Sequence, residues 1–212
     1  MQFANGSGSD PNTAANLINQ GFGNIRFTNP LNFDQRHQIQ AAVDYRFGGK
    51  VSGRPYTGPK IREIDILADA GASLVVQAGS GKPYNKRDIR NDYLIGSING
   101  SRMPWSNTIN IRFDKDMKFQ IGGKGDDGDK KDVYLNVYFD ISNILNTANV
   151  RGVHSWTGNP DDDGYLHHAD SQTAIENQYD EAAYRNYYAM YINYPWNYSR
   201  PRTILMGAMI NF

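Results

Sequence analysis

Apolar and polar side chains alternate over five stretches of this chain. Each stretch reads as a β-strand, because strand side chains point to opposite faces with period two. The longest runs from Trp105 to Ile121. Its even positions, Ser106, Thr108, Asn110, Arg112, Asp114, Asp116, Lys118 and Gln120, are all polar. Its odd positions are apolar (Trp105, Ile109, Ile111, Phe113, Met117, Phe119, Ile121) apart from Asn107 and Lys115. In His37–Phe47, Ile39, Ala41, Val43, Tyr45 and Phe47 oppose Gln38, Gln40, Ala42, Asp44 and Arg46. In Asp132–Ser142, Val133, Leu135, Val137, Phe139 and Ile141 oppose Tyr134, Asn136, Tyr138, Asp140 and Ser142. Between Ala70 and Gly79, Ala70, Ala72, Leu74, Val76 and Ala78 share a face, and the parity of Ile64, Ile66 and Ala68 predicts that this strand starts earlier. The last stretch, Arg202 to Phe212, puts Ile204, Met206, Ala208, Ile210 and Phe212 on one face. Thr203, Gly207 and Asn211 fall on the other, with Leu205 and Met209 intruding.

Strand length decides between two settings for this pattern. A soluble sheet with one wet face would show it, but strands of globular proteins mostly run about 5–6 residues. From Trp105 to Lys115 the strand spans roughly 33 Å. Tilted near 40°, it rises about 25 Å, the height of the apolar band of an outer-membrane barrel. Lys115 then falls at an interface instead of the midplane, where a lysine costs about 2–4 kcal/mol. The links alternate too: Gly48–Glu63 and Gly122–Lys131 are turn-like, whereas Gly79–Arg102 and Asn143–Arg202 are long and rich in aromatic residues. The expected fold is all-β, an antiparallel transmembrane β-barrel segment with long extracellular loops and one short helix. Five strands cannot close a barrel, for which eight is the usual minimum. Lipid does not tolerate unpaired strand edges, so further strands are expected.

Composition narrows the function classes. With 22 basic and 22 acidic residues, no field of one sign attracts nucleic acid or an anionic membrane surface. The mean hydropathy is −0.64, low for a compact α/β enzyme, and 21 Gly with 14 Tyr favour turns and strands. No cysteine is present, which excludes disulfides and thiolate metal sites. No apolar run approaches the 18 or so residues of a transmembrane helix, a test that barrel strands evade. The start, Met1-Gln2-Phe3-Ala4-Asn5, has neither a basic nor an apolar signal region, so either the protein stays inside the cell or the chain is a piece of a longer polypeptide, and the second is the favoured expectation.

Short motifs flank these strands. Pro30-Leu31-Asn32-Phe33-Asp34-Gln35-Arg36-His37 opens one, Ser80-Gly81-Lys82-Pro83-Tyr84 follows another, and Arg102-Met103-Pro104-Trp105 starts the next. Asn143-Ile144-Leu145-Asn146 leaves the fourth, and Tyr198-Ser199-Arg200-Pro201-Arg202 enters the last, which ends in Asn211-Phe212. In this order and spacing, over roughly residues 30 to 212, the chain resembles the C-terminal portion of TonB-dependent outer-membrane receptors, particularly the large ones of the Bacteroidetes type. The resemblance implies about the last five strands of a 22-stranded barrel closed around a plug. It implies active uptake of a bulky nutrient across the outer membrane, with no enzymatic role and no cofactor. Residues 1–30 would then be an extracellular loop, and the plug and TonB box would lie outside this chain. The implied partners are the rest of the barrel and its plug, outer-membrane lipid, the barrel-assembly machinery, and TonB through the missing N-terminal part. Ile204, Met206, Ala208, Ile210 and Phe212 look like the signal that this machinery reads.

Other residues invite chemistry. Asp180–Ile192 is the one helix-like stretch, with Asp180 as a cap and Tyr184, Tyr187, Tyr188 and Tyr191 on one face. Together with Trp196 they form a candidate platform for stacking on a sugar or other planar ligand; the plainer reading is a loop helix on the barrel rim. Asn159-Pro160-Asp161-Asp162-Asp163-Gly164 and the turn bearing Asp126, Asp127 and Asp129 offer calcium-like oxygen clusters, read more simply as solvated turns. His154, His167, His168 and Asp170 could form an imidazole–carboxylate site, but no register fixes them. Gly-rich phosphate loops and hydrolase or zincin signatures are lacking. The alternative class is a soluble or surface-attached all-β binding module that recognises a ligand through the Tyr-rich segment 184–198.

Overall fold

The computed structural model describes residues 3–6, 15, 17–19, 21, 27–62, 64–122 and 131–212. The turn with Asp126, Asp127 and Asp129 lies outside the described residues, as does most of 1–30. In chain order the strands are β1 (Phe3–Gly6), β2 (Phe27–Pro30), β3 (Gln38–Arg46), β4 (Lys60–Ile61), β5 (Ile64–Asp65) and β6 (Ala70–Gly79). They continue with β7 (Pro83–Tyr84), β8 (Ser101–Arg102), β9 (Ser106–Ile121), β10 (Lys131–Ser142) and β11 (Thr203–Asn211). Two α-helices, Ala169–Glu176 and Glu181–Ile192, lie between β10 and β11. The fold is a mostly antiparallel β-sheet with a few short helices. No described helix is long and apolar enough to cross a membrane.

Five long strands form one sheet in the order β11-β10-β9-β6-β3. Both β10 ladders are antiparallel, with Val137 opposite Lys115 on β9 and Ala208 on β11. Main-chain bonds from Phe47 N to Ala70 O and from Ser80 N to His37 O make β3 and β6 antiparallel. Bonds from Asp116 N to Asp69 O and from Met103 N to Lys82 O do the same for β6 and β9. The sheet is open, with β3 and β11 as its edges. Short pairs β1-β2, β4-β5 and β7-β8 form two-stranded ladders of their own, β7-β8 in the register of β6 and β9, so the region read as an N-terminal loop carries a small strand pair.

One boundary differs from the sequence reading. Ile64 belongs to the tight β4-β5 hairpin, where it faces Ile61, and residues 66–69 form a turn. Asp69 there has a φ of 57°, a left-handed conformation that Asp tolerates, and its backbone starts β6 at Ala70. The apolar parity of Ile64, Ile66 and Ala68 therefore does not extend the strand.

The chain divides into two compact units. A loop unit comprises Met1–Gln38, Ala78–Ser106 and Ala148–Ser199; a sheet unit comprises Ile39–Gln77, Asn107–Thr147 and Arg200–Phe212. In the loop unit Ile98, Ile175 and Ile192 are buried, together with Asn29, Asp34 and Asn99. In the sheet unit Val133 is the one buried large apolar side chain among the described residues.

Candidate functional site

The ladders sort the side chains of the sheet onto two faces. Phe113, Phe139 and Met206 stand in one row across β9, β10 and β11, as do Ile111, Ile141 and Ile204. The β3-β6-β9 register adds Tyr45, Ala72 and Phe113 as another row. This face is apolar and bare: Val43 is 61% exposed, Phe119 48% and Met206 72%.

The opposite face is charged and internally paired. Arg46 on β3 reaches across β6 to bind Asp114 and Asp116 on β9, the latter at 2.5 Å. It can do so because Gly71 lies between them. A Cβ on Gly71 would meet Asp114 Oδ1 at 2.9 Å and Arg46 Nη2 at 3.0 Å. Asn136 on β10 donates to Asp116 at 2.6 Å. Arg112 approaches Asp140 at 4.0 Å and lies over the Tyr138 ring, 4.5 Å from its centroid. That ring covers Gly207 of β11, where a Cβ would sit 2.4 Å from it, so the aromatic ring replaces the missing side chain. Lys118 pairs with Asp132 at 2.7 Å. Leu205 and Met209 break the pattern: they stand on this face, opposite Asp140 and Asn136.

The flanking motifs meet in small polar clusters. In the loop unit Arg102 binds the buried Asp34 carboxylate at 2.5 Å and donates to the carbonyls of Asp34 and Gly81. His37 N donates to Ser80 Oγ at 3.0 Å, and the Gln35 amide donates to Ser80 O. Gly81 passes so close to Met103 O, 1.6 Å from where a Cβ would be, that no larger residue fits. In the sheet unit Asn143 adopts a φ of 54° and its amide donates to Thr147 O and Arg200 O. Asn146 Oδ1 accepts from Arg202 N. The motifs thus act as main-chain staples at strand ends.

The Tyr-rich segment forms a real helix with two aromatic rows. Asp180 caps Glu181–Ile192 by accepting from Ala183 N at 2.9 Å. Tyr188 stacks on Tyr165 at 4.7 Å between centroids, with Tyr184 beside it. Tyr187 pairs with Tyr191, and Tyr191 meets Tyr194; Tyr187 and Trp196 are largely exposed. The tyrosines named as one platform therefore divide, with Tyr188 turned to Tyr165 and Asp163, and Tyr187, Tyr191 and Trp196 toward solvent.

The acidic turn is consumed locally. Asp162 and Asp163 accept from Gly164 N and Tyr165 N, and Asn159 accepts from Asp161 N. The second oxygens of Asp161 and Asp163 accept from the hydroxyls of Tyr198, at 2.5 Å, and Tyr188, at 2.6 Å. Burial, reinforced by this bond to Asp163, raises the Tyr188 hydroxyl well above its ordinary range; the bond to Asp161 raises Tyr198. His168 caps the helix Ala169–Glu176 through Asp170 N, and Asp170 pairs with Arg90. Among the described residues no three His, Asp or Glu side chains are placed to hold a metal.

Ile204, Met206, Ala208 and Ile210 lie on the apolar face of edge strand β11, and Phe212 follows them, almost fully exposed. Sequence reasoning missed the Arg46–Gly71–Asp114 crossing, although a lone Gly inside a strand pattern signals close approach by a neighbour. It also missed the Asp34–Arg102 pair, for which no local signal exists. Compared with known proteins, the chain matches no protein-family model, no curated protein and no solved structure.

Proposed function

We propose that the chain is the C-terminal barrel segment of a TonB-dependent outer-membrane receptor and serves the active import of a bulky nutrient. One observation carries this reading: the sheet exposes its apolar face while ion pairs hold its other face together. In water such a face would be an association hazard; in a bilayer it is the surface that meets acyl tails. A two-sheet sandwich would need those rows buried against a second sheet, and they are exposed.

Among the described residues β3 and β11 are the end strands of the sheet, with no further strand beside them. Lipid requires main-chain groups at such edges to be satisfied, so strands from the rest of the receptor pair with β3 and β11 and complete a closed barrel of about 22 strands. The charged face lines the lumen and meets the plug. Energy comes from TonB, acting through the part that bears the plug and the TonB box. The row Ile204, Met206, Ala208, Ile210 and Phe212 is the surface offered to the assembly machinery. On this reading the segment alone transports nothing and forms no heat-modifiable barrel when exported by itself.

Because the chain has no cysteine, single cysteines introduced into it test the assignment once any cysteine elsewhere in the receptor is replaced. In the receptor in its membrane, Gln77→Cys and Ser73→Cys react with a water-soluble maleimide, whereas Ile111→Cys and Phe139→Cys react with a lipid-soluble one. Equal labelling of both sets by the water-soluble reagent would defeat the proposal.

A further inference from the structure

Two hollows in the sheet unit meet at Lys115. The first, about 470 Å³, is walled by Phe47, Leu67, Ala70, Ala72, Phe113 and Phe139. It exists because β6 carries alanines where its neighbours carry large residues: the register sets Ala72 between Tyr45 and Phe113, and Ala70 beside Phe47. The volume falls within the roughly 300–1,000 Å³ of small-ligand pockets. The second, about 980 Å³, shares Lys115 and Met117 with the first and is lined by Lys50 and Arg54.

The basic groups there have donors to spare. Lys115 Nζ donates to Ile66 O, and an ammonium has three N–H donors, so two are left. Three carboxylates lie along the second hollow, and each already faces a donor or a cation, Asp65 through an ion pair with Lys60 at 3.4 Å. Asp69 accepts from Val51 N at 2.9 Å and Ser52 N at 2.8 Å, and Asp116 is held by Arg46 and Asn136. Among the described residues, no carboxylate pairs with Lys50 or Arg54.

We propose that the paired hollows bind one phospholipid with an anionic headgroup. An acyl chain lies in the apolar hollow over Ala70 and Ala72, and the phosphate sits against Lys115, Lys50 and Arg54. This rests on the membrane reading above, which places Lys115 at the interface on the side of the short turns. Chain packing by itself gains little over bulk lipid, since both surroundings are apolar. Both lipids carry the phosphate, so selectivity comes from the net charge of the headgroup set against Lys115, Lys50 and Arg54. A choline headgroup brings its own positive charge to Lys50 and Arg54, whereas a glycerol headgroup brings none.

The test is native mass spectrometry on the receptor extracted from its membrane in detergent, titrated with phosphatidylglycerol or phosphatidylcholine, with inorganic phosphate as competitor. The expected result is retention of one phosphatidylglycerol, on the order of tenfold over phosphatidylcholine, undisturbed by millimolar phosphate. Lys115→Gln should remove most of that preference, and Ala72→Leu should lower retention of both lipids by occupying the groove. Equal retention of the two lipids with no response to Lys115→Gln would overturn the proposal, as would displacement of the lipid by phosphate. Should Ala72→Leu fail to assemble, Lys115→Gln alone still decides the outcome. Failure here leaves cysteine labelling intact, whereas failure of the membrane reading shows first as labelling of Ile111→Cys from water.

Discussion

The loop unit and the sheet unit place their apolar side chains in opposite ways. In the loop unit Ile98, Ile175 and Ile192 are buried, and the buried polar groups are stitched together, Asn99 to Pro30 O and Asp34 to Arg102. That is the organisation of a protein built against water: burial of aliphatic side chains, with buried polar groups such as Asp34 and Asn99 given partners. In the sheet unit the aliphatic rows are exposed and the carboxylates and guanidinium groups cluster on the other face. On the membrane reading proposed above, the two units are made for different solvents. On that reading the sheet draws its stability from its main-chain ladders and from a medium that accepts its apolar face, and the loop unit from its own interior.

Substitutions that strike one unit by one of these routes sharpen the contrast. The largest effect is expected from Asp34→Ala, which strands the Arg102 guanidinium in a half-buried site. Removing one partner of such a pair costs about 3–5 kcal/mol, measured as earlier proteolysis and melting of the loop unit. Next comes a pair of neighbours on β6, Val76→Arg and Gln77→Arg. The first places a charge on the apolar face near mid-strand and should cost about 2–4 kcal/mol in a bilayer, while the second points to the wet face and should cost almost nothing. Equal losses, measured by urea unfolding in lipid, would erase the distinction between the faces.

Tyr188→Phe removes a hydroxyl that donates to a carboxylate, for about 1.5–3 kcal/mol. This contribution depends on pH in one direction. The folded pKa of Tyr188 is raised, so its share of stability is complete below the unfolded value of about 10 and declines as pH rises through the folded value. In a phenolate absorbance titration, Tyr188 should ionise late, and Tyr188→Phe should remove that late component. The smallest effect is that of Asp180→Ala, which loses the cap of Glu181–Ile192 and should cost about 1 kcal/mol, read as reduced helicity.

Much of the fold was legible because strand parity is a local, period-two property that survives without tertiary information. The expected stretch 105–121 matches Ser106–Ile121, and 132–142 matches Lys131–Ser142 within a residue. The helix at Glu181–Ile192 was equally readable, because an Asp cap and an i, i+4 aromatic pattern are local as well. Ile64 misled because a two-residue hairpin and the start of a strand share the same parity over a few positions. The tyrosine helix misled in another way. Helical spacing puts four tyrosines on one side, but only their neighbours decide which of them meet Tyr165 and Asp163 and which stay in solvent.

By itself the order of residues determined that this chain makes long two-faced strands with an apolar row on one side, since alternation dictates which side chains share a face. Tertiary structure alone decided what those faces meet. That Arg46 reaches over Gly71 to Asp114, that Asp34 finds Arg102 across 68 residues, and that the alanines of β6 open a hollow between phenylalanines all depend on register. Register joins positions far apart in the chain, and no local pattern encodes that distance.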